Sequence, residues 1–327
     1  MNQDETNMIS KFSRSWNLFW FAPLDARPLA LFRILTGILC FAMFASMLPN
    51  WNRFFAADGM ISLVSVEFQN PRVDSYLGLF HWTEGWIPVE FFGYFSLVIC
   101  GMFIFGMHTR WVTFALLLLI DATVHRNPYI TNGEELVARM CLVYCLLVDL
   151  GAVWSWDALR RKERGLPRCT TVFTWPVRMM QINIALIYAI SLPYKFAQDP
   201  GWVTGDAMHW TVASDMWGPS SMPWITLAFG GLFRKLITFG TVIVEGIFPL
   251  LVWFRPSRRL AIFLISSLHI GIALVIPNVT FFTLIMVCAF AAFWTGEDFD
   301  QLASFWKYLK ANCFNSNRNT LSQAQQS

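Results

Sequence analysis

The stretch IALIYAISLPYKFAQDPGW (Ile184–Trp202) closes an apolar run that begins at Pro176. A helix needs about 20 mostly apolar residues to cross a bilayer, and Pro176–Tyr194 is such a run, so this segment reads as a membrane span. It ends on Lys195. A helix suited to lipid thus terminates in an ammonium group, for which two readings stand. Lys195 is an anchor that snorkels to the interface, or it is a base held at a site.

Composition extends the membrane reading to the whole chain. Of 327 residues, 56% are hydrophobic, 17% aromatic and 14% charged, against about 25% charged in a typical soluble domain. Apolar windows recur from end to end and predict an all-α polytopic membrane protein, with about eight transmembrane helices in a single bundle. They fall near Leu29–Leu48, Val89–Met107, Val112–Val124, Leu136–Val153, Pro176–Tyr194, Leu236–Phe254, Leu260–Ile276 and Thr280–Trp294. Met222–Phe233 reads as loop or as an interfacial or re-entrant segment. The predicted organisation is a cytoplasmic segment at 1–27, a membrane domain at 28–295 and a cytoplasmic tail at 296–327. The first segment lacks the basic, apolar and cleavage regions of a signal peptide.

Basic residues are retained on the cytoplasmic side. With both termini inside, the inner segments collect Arg27, Arg110, the run Arg160–Arg168 and Arg255, Arg258 and Arg259, whereas the outer ones hold only Arg53, Arg72, Arg126, Lys195, Arg234 and Lys235. Lys195 is therefore expected at the outer end of its helix. No cysteine falls in an outer loop, so no disulfide is expected. Cys141 and Cys145 share a helix face but read as small buried apolar residues. Zinc spacings, phosphate-binding loops and dinucleotide fingerprints are absent from the sequence, and neither a metal nor a nucleic acid is expected.

The informative residues are ionisable ones inside predicted spans, because each is costly in hydrocarbon unless paired, hydrated or used. They are Arg33, Asp121, Glu134, Glu135, Arg139, Glu245 and His269, with His125 and Lys195 at helix ends. At about 1.5 Å per residue, Asp121, His125, Glu134, Glu135 and Lys195 converge on the outer half, and Glu245 and His269 lie near mid-membrane. Bland readings stand beside this. Glu135 and Arg139 have the spacing of a helical ion pair, both glutamates suit a helix N-terminus, His269 suits a hydrogen-bonded core, and Arg33 is placed to reach lipid phosphates.

Four phrases, in order, carry a family resemblance. They are DARPLALFRILTGILCF (25–41), HRNPYITNGEELVARMCLVYCLLVDLGAVWSWDAL (125–159), YKFAQDPGWVTGDAMHW (194–210) and GTVIVEGIFPLLVWFRPSRRLAIFLISSLHIGIALVIPNVTFF (240–282). Together they resemble the HTTM superfamily, the horizontally transferred transmembrane domain that includes vitamin K-dependent γ-carboxylase. The resemblance implies Lys195 as general base and His269 as a partner, with Glu134 standing where the carboxylase has a functional histidine. It implies a quinol or vitamin K-like cofactor and a bacterial plasma (inner) membrane location. The sequence ends soon after the eighth predicted helix, where the carboxylase continues into a lumenal domain, so carboxylation of protein substrates is not the expectation.

The expected catalytic set is thus Lys195, Glu134 and His269. His125, Arg126, Glu135, Arg139, Trp202 and Glu245 are the expected substrate-binding set, with Trp202 and Trp210 as an apolar roof over the lysine. Two functions compete: an enzyme acting on a lipid-soluble or peptide substrate at an outward-facing pocket in the bilayer, and a maturation, export or immunity factor for a secreted peptide, as in sporulation-delaying protein B-like members.

Overall fold

A computed structural model describes residues 3–62, 65, 78–83, 85–130, 133–214 and 230–324; the predicted segment Met222–Phe233 lies largely outside them. Helices appear at every predicted span: α2 (Arg27–Met47), α3 (Val89–Phe105), α4 (Thr109–Arg126), α5 (Glu134–Cys145), α7 (Thr174–Gln198), α8 (Gly230–Leu251), α9 (Arg255–Val275) and α10 (Thr280–Phe290). Others were not foreseen, the longest of them among the described residues being α1 (Gln3–Phe21), α6 (Trp156–Glu163) and α11 (Gly296–Ala324). Among the described residues the chain is all-α but for two short antiparallel strands, β1 (Leu24–Asp25) and β2 (Thr171–Val172).

Among the described residues, two helices suffice by length and composition to cross a membrane: the continuous run Arg27–Phe55 and Arg255–Val275. A third results if Pro277–Phe293 and Gly296–Lys310, bent by 99° to one another, form one broken span.

The eight helices run alternately up and down. Ala26 N–H donates to Thr170 O at 2.9 Å and Arg178 Nε to Phe19 O at 3.1 Å, which puts the starts of α2 and α7 at one end of the bundle. Gln181 Nε2 donates to Ala292 O at 2.7 Å and Arg259 Nε to Asp298 at 2.6 Å, which adds the start of α9 and the end of α10. Burial follows helical periodicity. On α8 the inward face is Thr238, Thr241, Glu245, Phe248 and Val252, at alternating steps of three and four as an amphipathic helix requires.

The predicted fourth span stops as a helix at Cys145, well short of Val153. The reason is a turn that the apolar window could not register. Gly151 N–H donates to Asp149 Oδ1 at 3.0 Å, and Arg161 grips the same carboxylate at 2.5 Å. The carbonyls freed by the turn are claimed by Arg33, which donates to Leu150 O at 2.8 Å and to Trp154 O at 2.5 Å. Arg33 is fully buried, so the expectation that it reaches lipid phosphates is corrected. Its guanidinium pins α2 to the chain after α5. Asp157 completes the knot by accepting from His108 N and Thr109 N, each at 2.8 Å, which satisfies orphan donors at the start of α4.

Candidate functional site

The α7 helix carries Gln181, Tyr188 and Lys195 at intervals of seven residues, hence on nearly one face. Pro193 interrupts its ladder one turn before its end, since proline has no N–H to donate, yet the helix continues to Gln198. Lys195 Nζ donates to Glu245 Oε2 of α8 in a close ion pair. The lysine side chain is 23% exposed and the glutamate 8%, so a buried carboxylate meets an ammonium near the mouth of the bundle.

Beyond Gln198 the chain folds back over the start of α8. Gly201 N–H donates to Asp199 Oδ1 at 2.8 Å, opening a short helix, Gly201–Thr204, and a second one, Ala207–Ala213, sends Met208 N–H to Thr238 Oγ1 at 3.3 Å. This return sets the Trp202 ring 4.5 Å from Lys195 Nζ, a cation–π contact. Of the two tryptophans expected over the lysine, Trp202 makes this contact and Trp210 is exposed.

Two turns deeper along α7, Tyr188 OH and His269 Nε2 share a hydrogen bond of 2.6 Å, packed among Phe248, Phe282 and Phe290. Phe248, one turn along α8 from Glu245, packs on the Tyr188 ring at 5.1 Å between centroids, so the two pairs share one neighbourhood. His269 Nδ1 is buried and has no hydrogen-bond partner among the described residues. If Tyr188 donates to Nε2, the ring proton resides on Nδ1, where it is free for a bound molecule. A cavity of about 350 Å³ lies nearby, between the Ala207–Ala213 helix, α8 and α9, and none of Lys195, Glu245, Tyr188 and His269 is in its wall. Thr241 and Leu268 in its wall lie one turn from Glu245 and one residue from His269. The walls are otherwise mainly apolar, apart from His209 and Arg234, whose Nδ1 and Nε atoms have no hydrogen-bond partner among the described residues.

The remaining expected site residues lie elsewhere. Arg139 pairs with Asp121 at 2.6 Å, so its guanidinium is spent between α5 and α4. His125 Nδ1 sits 2.8 Å from Asp121 O and 3.2 Å from its carboxylate. Arg126 is buried and donates to Ile61 O at 3.0 Å and to Ala56 O, tying the chain at 56–61 to α4. Glu134 and Glu135 are buried at the start of α5. Phe282 stands between that start and His269, touching the position a Gly133 side chain would take and facing the imidazole at 6.4 Å.

Of the expected catalytic set, then, Lys195 and His269 come together, joined by Glu245 and Trp202. Tyr188 was missed, and its signal was the seven-residue interval from Lys195. Asp121, noted only as a charge inside a span, organises the second cluster.

The HTTM domain matches residues 21–297. No curated protein and no solved structure matches the chain. Because the match runs from the last residue of α1 into the first turn of α11, taking in both the Arg33 knot and the lysine site, the chain belongs to the HTTM family and is an integral membrane protein.

Proposed function

We propose that this protein is a membrane enzyme in which Lys195 exchanges a proton with a lipid-soluble or peptide substrate. The observation that carries the reading is the Lys195–Glu245 pair under Trp202, with Tyr188–His269 two turns deeper along α7. Such groups inside a membrane bundle are costly and mark functional sites by default. One proton lies within the pair. Passing it to Glu245 leaves a neutral amine that accepts a proton from an acidic hydroxyl of the substrate. His269 Nδ1 is placed to hold or return a proton at a second substrate atom. The nearby cavity between the Ala207–Ala213 helix, α8 and α9, mainly apolar with unpartnered nitrogen donors on His209 and Arg234, suits a ring that carries oxygen atoms, which is the class of a quinol. When bound, such a group would supply redox chemistry that the side chains lack.

The basic residues at the end of the bundle formed by the starts of α2, α7 and α9 support an orientation with that end cytoplasmic. Residues 1–27 and 296–327 then lie inside, 28–295 form the membrane domain with eight spans, and Lys195 faces outward across a bacterial plasma membrane. His125, Glu134, Glu135 and Arg139 act in this reading as neighbours that set the field on the far side of Phe282.

Lys195→Arg tests the base, because arginine keeps the charge and the ion pair but does not release its proton at any accessible pH. Purified wild type and variant are incubated with a lipid extract of the host, and the extract is followed by mass spectrometry. Wild type should convert a component, and Lys195→Arg should retain that component unconverted. Conversion by the variant would remove Lys195 from the chemistry, and no conversion by wild type would overturn the enzymatic reading.

A further inference from the structure

A second cavity, of about 1040 Å³, opens at the other end of the bundle, between α2, the end of α3 and the chain running from α6 to β2. The rise along α7 from Thr174 to Lys195 sets it about 30 Å from the lysine site, and none of its lining residues serves that site. Its body is apolar, with Ile34, Phe105, Trp154 and Leu159 among its walls, and its rim is basic, with Arg27, Arg161, Lys162 and Arg168.

Two of those cations are already committed. Arg27 pairs with Asp25 at 2.8 Å and Asp300 at 2.7 Å, and Arg161 pairs with Asp149 at 2.5 Å and also donates to Gly151 O at 2.5 Å. Asp25, the acidic residue in the wall, is thereby answered. Lys162 and Arg168 are exposed and have no acidic partner among the described residues. They leave two positive charges at the mouth of an apolar chamber.

The chamber also continues onto the lipid-facing surface. Ile34, Ile38 and Phe41 occupy positions i, i+4 and i+7 of α2 and so share a face; Ile38 and Phe41 are exposed. Across from them Phe105 and Val98 of α3 are exposed at the same interval. A molecule that satisfied both regions would carry an anionic head and a long apolar tail. Trp154, half exposed in the wall, suits the boundary between the two, as indoles do at membrane interfaces.

We propose that this cavity binds an anionic phospholipid drawn from the surrounding bilayer, with its phosphate between Lys162 and Arg168 and one acyl chain along Ile34, Ile38 and Phe41. A zwitterionic choline head would bring a cation against a basic rim, so selectivity for net negative charge follows from the same residues.

The test uses the full chain, purified in detergent and exposed to vesicles of either phosphatidylglycerol or phosphatidylcholine, with retained lipid counted by native mass spectrometry. Phosphatidylglycerol should be retained in roughly thirtyfold preference, the worth of two basic side chains at an anionic surface. The double variant Lys162→Glu/Arg168→Glu should abolish the preference. Neither side chain makes an ion pair that the fold depends on, and the charge-keeping double variant Lys162→Arg/Arg168→Lys should preserve it. Equal retention of the two lipids by wild type would overturn the proposal, as would an unchanged preference in the glutamate variant or a peptide retained in place of lipid. Glycerol phosphate serves as a third arm. If it displaces phosphatidylglycerol as well as the intact lipid does, the acyl lane is refuted and the site is one for free phosphate.

Discussion

Removing either partner of the Lys195–Glu245 pair should destabilise the protein, and unequally. Breaking a buried pair by deleting one member costs about 3–5 kcal/mol, because the survivor is left uncompensated. In Lys195→Ala the survivor is Glu245, whose side chain is 8% exposed. It has an escape, since it can take up a proton. At pH 7, protonating a carboxyl from its ordinary value near 4.3 costs about 3.7 kcal/mol, at 1.36 kcal/mol per unit. That figure is a ceiling on the penalty for the stranded charge. In Glu245→Ala the survivor is Lys195, 23% exposed, beside Trp202, with a flexible stem that can reach water. Its penalty should be only about 1–2 kcal/mol.

The pH dependence has a definite sign. The cost of protonating the stranded carboxyl falls as pH falls, so the destabilisation of Lys195→Ala should shrink from pH 7 toward pH 5, while that of Glu245→Ala should not. The double variant Lys195→Met/Glu245→Leu, which strands no charge, should be less destabilised than the sum of the singles by about 2–3 kcal/mol. Denaturation midpoints in detergent, taken across that pH range, measure all three. Equal costs for the two alanine variants, with no pH dependence in either, would refute the buried pair and with it the proton-transfer reading.

Gly106→Ala should cost about 2 kcal/mol or more. Gly106 ends α3 at φ +67°, and a Cβ there would meet Arg33 Nη1 and Ser155 Cβ, both at 2.5 Å, combining left-handed strain with overpacking; thermal denaturation checks it. For Asp25, burial pushes the carboxyl up, but hydrogen bonds from the Arg27 side chain and backbone outweigh that and hold it below its usual 3.8. Its contribution is therefore present above that value and lost as the pH falls through the lower folded one, so the stability gap between wild type and Asp25→Asn should close only below about pH 4. Single cysteines at Val203 and at Arg164 should differ on intact cells, with an impermeant maleimide labelling the first and sparing the second. The reverse pattern would invert the proposed orientation.

Apolar runs were enough to locate eight helices, because a lipid-facing helix announces itself by composition alone. They did not reveal α1, α6 or α11, whose polar content hides them from a hydropathy window, nor the early end of α5, which depends on where a side chain 117 residues away places its donors. The lysine site was legible as a set of costly charges, whereas the pairing of those charges was not. Glu135 and Arg139 have good helical spacing, yet Arg139 turns to Asp121 on the neighbouring helix. A helix-internal pair is one choice among several once helices pack, and sequence spacing ranks only the local one.

The pairing does follow from a feature of α7. Gln181, Tyr188 and Lys195 lie along one face, and each is answered from a different element: Gln181 by the carbonyl of Ala292, Tyr188 by His269 of α9, and Lys195 by Glu245 of α8. A polar group in hydrocarbon without a partner costs several kcal/mol. Rotating α7 by even one residue position would therefore strand three groups at once, and the rotation is fixed without any need for tight apolar complementarity. The near end of the helix is clamped as well, by Thr174 Oγ1 on Ala22 O and by Arg178 on Phe19. With rotation and height both set, the end of the helix has no freedom in where it delivers Lys195. The interval of seven thus links the structural role of the helix to its chemistry, because the same face that orders the bundle presents the ammonium to Glu245.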